Sequence, residues 1–306
     1  MFARDPGAAN HIVAAAAVLA GGLQSNPLVA MFAGFNGIAP NEVSVGGQGP
    51  ALSVFSAASL DSQPAQIGNV DDASQLLANS GASLLVTGTG DIDDIATRSL
   101  WVAARQQNIP SVALLDSADN CEVRFNLDDG QRPDRVVAPN AAAVSRLAEL
   151  GFADADVVLI DNLHHARLRQ TVMAGRAPMR SQWGADADTH VILFVSENAS
   201  EAREMGRVVA FDEFELLERL IAESTDAFRV GQTQAVIVVR PHPRDRAGKY
   251  ERFCRASDPR VIVSAAGSPV EAISGADLVA GMRSALLDEA QILGRPVRRL
   301  LDQVSV

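Results

Sequence analysis

The sequence predicts an α/β protein of two Rossmann-like, doubly wound domains that face a central cleft. Short apolar runs alternate with longer amphipathic runs along the 306 residues, which is the pattern of βαβ units. Hydrophobic residues make up 47% of the chain but aromatic residues only 5%, as expected for parallel sheets covered on both faces. One irregular stretch, residues 167–188, separates two alternating sets and is predicted to be a linker.

The two alternating sets predict a first domain over residues 1–170 and a second over residues 185–306. In the first half, strands are predicted at 27–33, 51–56, 83–87, 111–115, 135–138 and 157–160, helices at 9–22, 71–79, 91–107 and 140–150, and a Gly-rich loop at 34–49. In the second half, strands are predicted at 190–195, 235–239, 260–263, 277–281 and 296–301, and helices at 211–224, 249–256, 269–274 and 284–293. The helix boundaries rest on Asp91 and Asn140 as N-caps and on Gly81 and Gly151 just past helix ends.

Charge and composition exclude several classes of protein. The net charge of −11 and the pI of about 4.9 argue against nucleic acid as a partner. Cys121 and Cys254 are far apart and form no paired motif, so neither a disulfide scaffold nor a zinc site is expected, and a cytoplasmic location is the simpler interpretation. No apolar run is long enough for a transmembrane helix. Peripheral membrane association and the oligomeric state stay open.

Candidate residues of the first domain follow predicted strands, because ligands of open α/β sheets bind beyond the carboxyl ends of the strands. Gly7 and Asn10 lie in the loop that opens the first helix, where a helix N-terminus attracts anions. His11 is the natural general base if it reaches the cleft, and otherwise packs at the helix start. Asp116 follows the strand at 111–115 and is a second candidate base. Asp128 is a third candidate, or belongs to an exposed turn.

Candidate residues of the second domain form two motifs. A run of four β-forming residues leads directly into Arg240-Pro241-His242-Pro243-Arg244. The prolines stiffen this turn, and its three potential cations fit a phosphate better than a packing role. In the second motif, Ser284 begins a helix after a strand, so its hydroxyl and the helix N–H groups can hold a phosphate oxygen. Glu289 could accept ribose hydroxyls. The alternatives are that Ser284 is a simple N-cap and that Glu289 is a solvated helix residue.

These two motifs carry a resemblance to known families. Arg240-Pro241-His242-Pro243, followed by residues 277–290 and 294–297, resembles the donor half of GT-B-fold glycosyltransferases and is similar to the UDP-N-acetylglucosamine 2-epimerases. The His-Pro pair resembles that of bacterial sialyltransferases and CDP-glycerol glycerophosphotransferases. The resemblance covers the second domain and implies that His242 and Ser284 contact nucleotide phosphates and that Glu289 binds the ribose. The epimerases carry Ser-Gly-Gly where this chain has Arg283-Ser284-Ala285.

The leading hypothesis is a metal-independent, inverting glycosyltransferase of surface polysaccharide or glycoconjugate biosynthesis. Its partners would be a nucleotide-activated sugar and a hydroxyl-bearing acceptor, with no cofactor beyond the donor. Asp128-Asp129-Gly130 resembles the acid-acid-glycine motif that supplies the base in some sialyltransferases. A sugar-nucleotide 2-epimerase is the alternative enzyme, and it needs several carboxylates and a histidine that converge. A degenerate, non-catalytic nucleotide-sugar-binding protein is the third hypothesis, favoured by a very short first strand and by the lack of a closing C-terminal helix.

Overall fold

The chain forms two compact units, Met1–Arg167 and Leu168–Val306, called unit 1 and unit 2 below. The computed structural model describes residues 1–21, 27–33, 43–90, 94–118, 121–125, 128–171, 173, 175–204, 206, 208–229, 234–243, 245–257 and 259–303. Each unit is built on its own sheet, and all neighbouring strands in both sheets are parallel. The prediction of two doubly wound α/β folds is therefore confirmed.

Unit 1 contains a seven-stranded sheet among its described residues. Its strands are β1 (Phe2–Ala3), β2 (Gly46–Gly47), β3 (Gln63–Pro64), β4 (Leu85–Thr87), β5 (Ser111–Leu114), β6 (Arg135–Ala138) and β7 (Val157–Leu159). Its helices are α1 (Pro6–Ala20), α2 (Pro27–Ala33), α3 (Ala51–Ala57), α4 (Val70–Ser80), α5 (Ile95–Gln106), α6 (Cys121–Phe125), α7 (Ala141–Glu149) and α8 (Leu163–Arg169), the last of which ends just past the boundary with unit 2. The strand order is β3-β2-β1-β4-β5-β6-β7.

The sheet of unit 1 is buried on both faces, as its apolar strands predict. Val112 and Leu114 of β5 belong to one apolar cluster, whereas Ala113 and Leu115 belong to another. Since successive side chains of a strand point to opposite faces, the two clusters lie on opposite sides of the sheet. Small and branched aliphatic side chains dominate both, in keeping with the low aromatic content.

Two runs predicted as strands, residues 27–33 and 51–56, are instead the helices α2 and α3, so these predictions were wrong. Periodicity alone does not distinguish a short apolar strand from a short buried helix. In α3, Ala51 and Phe55 are four residues apart and fully buried, so the helical period places both on one inward face. The packing of α3 against α1 therefore decides its conformation.

The strand of this region, β2, lies inside residues 34–49, which the sequence predicts as a loop. Residues 34–42 of that loop lie outside the described residues, and the strand occupies only Gly46–Gly47. A Cβ added to Gly47 would approach the Phe55 ring to 2.8 Å. Glycine is thus required here because α3 packs directly on the β2 backbone.

Helix capping confirms most of the predicted boundaries of unit 1. The side chain of Asn140 accepts the N–H of the third residue of α7, and Gly81 and Gly151 have φ values of 60° and 85°. The predicted N-cap Asp91 was wrong. Asp94 caps α5, with its carboxylate accepting a backbone N–H at 3.1 Å, while residues 91–93 lie outside the described residues.

Unit 2 contains a five-stranded sheet among its described residues, with the order β10-β9-β8-β11-β12. Its strands are β8 (His190–Val195), β9 (Ala235–Arg240), β10 (Arg260–Val263), β11 (Leu278–Gly281) and β12 (Val297–Arg299). Its helices are α9 (Ala177–Gln182), α10 (Ala199–Glu204), α11 (Glu213–Arg229), α12 (Pro269–Gly275) and α13 (Ala285–Ile292). All five strands were predicted to within three residues at either end.

One prediction for this half of the chain was wrong, and another holds only in part. The boundary between the two units falls inside the predicted linker, residues 167–188, but this stretch is not irregular throughout, because it contains α9, whose Met179 packs with the adjacent Trp183 in the apolar core of unit 2. Residues 249–256, predicted as a helix, form a single 3₁₀ turn at Glu251–Phe253 and an isolated bridge of Arg255 to β10. The backbone of this segment follows the sheet edge because Arg255 exchanges both backbone hydrogen bonds with Val261.

Candidate functional site

The order of the strands in unit 2 predicts where a ligand binds. The chain runs from β8 to β9 and β10 in one direction and from β11 to β12 in the other, so the switch point lies between β8 and β11. A Cβ added to Gly281 would lie 2.6 Å from the Val195 side chain and 3.0 Å from its carbonyl oxygen, so glycine allows the ends of the two strands to approach. The turn at His242 follows the neighbouring β9, and Ser284 follows β11. The sequence-predicted motifs therefore share the carboxyl edge of this sheet.

Arg240 is the last residue of β9, and its guanidinium binds the protein itself. It donates hydrogen bonds to the carbonyl oxygens of Ala266 at 3.1 Å and Gly267 at 3.0 Å, in the loop that follows β10. Burial lowers the pKa of Arg240, and the carboxylate of Glu289 opposes this effect. Arg240 therefore holds a neighbouring loop in place and adds positive charge to the carboxyl edge.

His242 lies in a turn that is closed by Asp245. The Asp245 carboxylate accepts the His242 backbone N–H at 2.7 Å and the Ser196 hydroxyl at 3.1 Å. The Asp245 backbone N–H donates to the His242 carbonyl oxygen at 2.9 Å. These bonds join the turn after β9 to the loop after β8, so the half-buried His242 is held one strand away from the switch point. Arg244, the third predicted cation, lies outside the described residues.

Behind this turn, Lys249 lies among three carboxylates, an arrangement called the lysine cage below. Its ammonium contacts Glu213 at 2.6 Å, Asp245 at 2.7 Å and Glu201 at 2.9 Å. The Lys249 side chain is 7% exposed, that of Asp245 1% and that of Glu213 0%. Burial would lower the pKa of Lys249, but the bonds to the three carboxylates outweigh it and raise the pKa. The cage therefore joins α10, α11 and the His242 turn through one buried cation.

The N-terminus of α13 was predicted to hold a phosphate, and in the structure a carboxylate occupies it. Ser284 is the N-cap, with its hydroxyl oxygen accepting the Leu286 N–H at 3.3 Å. The carboxylate of Glu197, in the loop after β8, accepts the backbone N–H of Arg283, the residue before the N-cap, and lies close to the backbone N–H of Ser284. Burial raises the pKa of Glu197, and these two backbone N–H groups oppose the effect.

Glu289 lies inside α13 and is 5% exposed. The alternative of a solvated carboxylate on the helix surface is thus wrong. Its charge is close enough to Arg240 to oppose the pKa shift of that guanidinium. The ribose-binding role of Glu289 stays a prediction.

The sheet of unit 1 has its switch point between β1 and β4, and two glycines allow close packing there. A Cβ added to Gly88, just after β4, would lie 2.3 Å from the Ala8 Cβ in α1. A Cβ added to Gly7 would lie 2.9 Å from the Asp116 carboxylate. Gly7 therefore contributes by its lack of a side chain, since it lets the start of α1 approach the acid that follows β5.

Asp116, a predicted base, is paired with a cation. Its carboxylate binds the Arg124 guanidinium, which also donates to the Thr89 hydroxyl at 3.1 Å. The Asp116 carbonyl oxygen accepts the Asn162 side-chain amide at 3.0 Å. The Asp116 side chain is 23% exposed and the Arg124 side chain 14%. This pairing fixes the Asp116 carboxylate at the carboxyl edge of unit 1.

His11 is 4% exposed, on the inward side of α1. Its ring centroid lies 6.3 Å from that of His164 in α8. Burial lowers the pKa of His11 to about 4; Asp116 opposes this and His164 adds to it. The imidazole is therefore uncharged at neutral pH, so that it can accept a proton but is a weak base.

Asn10 and Asp128 are the remaining candidates of unit 1. Asn10 is half-buried in the second turn of α1. Asp128 is exposed, directly before the 3₁₀ turn at Asp129–Gln131, which agrees with the exposed-turn alternative.

Sequence reasoning missed several residues at these edges. Glu197 directly follows the five apolar residues of β8 and a serine, so a search for polar residues after strands could have found it. Lys249 is the only lysine in the sequence, which is itself a signal. No local pattern in the sequence marks Asp94, because the residue is buried only through its position as the N-cap of α5.

Within the described residues, no three His, Cys, Asp or Glu side chains are grouped to hold a metal ion. No described helix is both long and apolar enough to cross a membrane.

Comparison with known proteins gives matches only among structures. No family model and no curated protein matches the chain. S. aureus MnaA with bound UDP has a TM-score of 0.66 and 15% identity, covering 97% of this chain and 77% of that one. The UDP-GlcNAc 2-epimerase of Neisseria meningitidis bound to UDP-GlcNAc has a TM-score of 0.64 and 13% identity, covering 97% and 81%. Anabaena HepE with UDP and glucose has a TM-score of 0.58 and 15% identity, covering 100% and 83%.

The likeness is one of fold. At these identities it shows that the chain shares the two-unit α/β fold of the UDP-GlcNAc 2-epimerases and of HepE.

Proposed function

We propose that the chain is an enzyme that binds a nucleotide-activated sugar at the carboxyl edge of unit 2 and transfers the sugar to a hydroxyl-bearing acceptor. The observation that carries this proposal is that the His242 turn and Ser284, at the α13 N-terminus, both follow strands at the carboxyl edge of one parallel sheet that has a switch point. The similar structures that hold UDP, UDP-GlcNAc, or UDP with glucose support a uridine nucleotide as the first ligand to test. Surface polysaccharide or glycoconjugate assembly is the proposed context.

In this proposal, each residue of the edge has a separate role. His242 and Ser284 bind phosphate oxygens, together with the N–H groups at the start of α13. Arg240 contributes charge, because its hydrogen-bonding fork already binds two carbonyl oxygens. Glu289 accepts ribose hydroxyls. Helix N–H groups and a guanidinium stabilise the negative charge that develops on the leaving nucleotide.

The transfer step needs a general base, and the candidate bases predicted from the sequence lie in unit 1. The acceptor oxygen forms a bond to the anomeric carbon as the bond to the phosphate oxygen breaks, so the anomeric configuration inverts. The acceptor proton passes to the base, and the bonding electrons leave with the nucleotide. His11 is uncharged and can take the proton. Asp116 is the second candidate, with its carboxylate held by Arg124.

The binding proposal is tested by titrating UDP into wild-type protein and into the variants His242→Ala and Ser284→Ala. Each variant is expected to lose about 1–3 kcal/mol of binding free energy, the range for a hydrogen bond to a charged group. Ser268→Ala is the matched control, because Ser268 caps α12 through its side chain as Ser284 caps α13. Unchanged UDP affinity in both variants, with the fold intact by circular dichroism, would contradict the phosphate assignment.

A sugar-nucleotide 2-epimerase is the second candidate, and an arrangement in unit 1 favours it. The carboxylates of Asp5 and Asp94 both lie close to Gly90, while Asp116 lies against Gly7 and acts electrostatically on His11. Several carboxylates and a histidine thus follow strands of the same sheet.

Incubation with UDP-GlcNAc alone separates the reactions. A changed configuration at C2, or free UDP released without an acceptor, indicates an epimerase. Turnover only in the presence of a hydroxyl acceptor indicates a transferase. Binding without turnover across a donor panel indicates the non-catalytic alternative.

A further inference from the structure

The loop after β8 places an acid where the proposed function needs a phosphate. Glu197 accepts the Arg283 N–H and lies close to the Ser284 N–H. These N–H groups belong to the N-cap of α13 and to the residue before it, and a backbone N–H has a single proton to donate. A phosphate oxygen can bind here only after Glu197 has left, because two anions at one place also repel each other.

We propose that Glu197 is an internal competitor for the ligand phosphate: its carboxylate occupies the backbone amides that lead into α13 in the free protein and is displaced when a nucleotide binds. The proposal rests on the proposed function and concerns the same site. Under this proposal Glu197 lowers the affinity for the nucleotide, whereas Ser284 and His242 raise it.

Two features of the same loop support displacement over a permanent structural role. Asn198, the next residue, has a buried side-chain oxygen, Oδ1, with no hydrogen-bond partner among the described residues. A buried acceptor without a partner is unfavourable, so this resting arrangement leaves the loop incompletely satisfied. Arg283, whose N–H Glu197 takes, has an exposed side chain that is available to a displacing anion.

The loop also has a fixed point from which Glu197 can move. Ser196, one residue earlier, is 4% exposed and binds both Tyr250 and Asp245. Rotation of the Glu197 side chain therefore releases the two amides without moving β8 or the lysine cage.

The test compares Glu197→Ala and Glu197→Gln with wild type by calorimetric titration of three probes: UDP, inorganic pyrophosphate and uridine. Glu197→Ala is expected to bind UDP and pyrophosphate about 10–100-fold more tightly, the value of a hydrogen bond to a charged group. Glu197→Gln, which keeps an acceptor oxygen without the charge, should lie between Glu197→Ala and wild type. Uridine has no phosphate, so its affinity should not change.

The matched control is Glu218→Gln, which removes the same charge from the exposed face of α11. If Glu218→Gln gains as much affinity for UDP and pyrophosphate as the Glu197 variants do, competition at the amides is overturned. The same holds if the Glu197 variants gain as much affinity for uridine as for UDP. Weaker or unchanged UDP and pyrophosphate binding by a folded Glu197→Ala protein would overturn it too. If neither wild type nor any variant binds UDP, the proposed function fails; if wild type binds and Glu197→Ala gains nothing, only this inference fails.

Discussion

Removing the cation of the lysine cage is expected to destabilise unit 2 severely. Lys249→Met keeps a long apolar stem but leaves the carboxylates of Glu201, Glu213 and Asp245 without their common partner. Two of these carboxylates are almost fully buried, at 0% and 1% side-chain exposure. Breaking a buried ion pair from one side costs about 3–5 kcal/mol. We expect a loss of that size in the free energy of unfolding at neutral pH.

The chain offers a separate optical probe for each unit. Trp101 is buried in unit 1 and Trp183 in unit 2, and the sequence has only these two tryptophans. In a Trp101→Phe background, denaturant unfolding followed by fluorescence therefore reports on unit 2 alone. Lys249→Met should shift that transition to lower denaturant, and the shift should shrink at lower pH because the abandoned carboxylates can take up protons.

Two further variants decide whether the cage is the cause. Lys249→Arg restores the charge but replaces a compact three-donor ammonium by a planar fork, so partial rescue is expected. Arg219→Met is the matched control, since it removes a cation from the exposed Arg219–Glu223 pair and should cost less than about 1 kcal/mol. If Lys249→Met costs no more than Arg219→Met, the reasoning on the buried cage is refuted.

Four other outcomes are expected. Gly88→Ala should destabilise unit 1 by about 1–3 kcal/mol, because its Cβ would lie 2.3 Å from that of Ala8, whereas Gly130→Ala, with no neighbour within 4 Å, should be nearly neutral in the same unfolding assay. Burial would raise the pKa of Asp277, but the Val191 amide and the guanidinium groups of Arg176 and Arg180 outweigh it and lower the pKa to about 2. Asp277→Asn should therefore cost about 1–2 kcal/mol at neutral pH, and the difference from wild type should vanish as pH falls from about 4 to 2; a difference that persists at pH 2 would contradict this. His11→Ala should lower turnover by about 10²–10⁴-fold with UDP affinity kept, and wild-type turnover would move the base to Asp116. Limited proteolysis should cut first between α8 and α9, at residues 170–176, giving two stable pieces; first cuts inside α5 would contradict the two-domain proposal.

The fold of unit 2 was predictable because its central strands β8 and β9 are long and apolar. β8 and β9 each have six residues, of which at least five are buried, and the turns that follow them are polar. Unit 1 was harder, since β1, β2 and β3 have two residues each and carry no period-2 pattern. There the helices decide the arrangement, and the apolar runs that looked like strands are α2 and α3.

The site was predictable only in part, for a physical reason. A search for polar residues after strands found Arg240, His242 and Ser284, because strand ends are local features of the sequence. The partners of these residues come from elsewhere in the chain. Glu197 is 86 residues away from the N–H it accepts, and no local pattern announces such a pairing.

At the carboxyl edges of both sheets, groups that could bind an anion are already bound by carboxylates of the protein itself. This raises the question of how an acidic protein can recognise an anion there. With a net charge of −11, the chain offers a nucleotide little long-range attraction, so binding must come from short-range contacts. Those contacts are already taken in the free protein: Asp116 holds Arg124, Asp245 holds Lys249, and Glu197 holds the backbone amide of Arg283, just before α13. The first two pairs join a guanidinium or ammonium to a carboxylate, and breaking them would strand a buried charge. Glu197 instead binds uncharged amides, so its departure strands no cation. Of the three carboxylates, it is the one that an incoming phosphate can replace at the lowest cost.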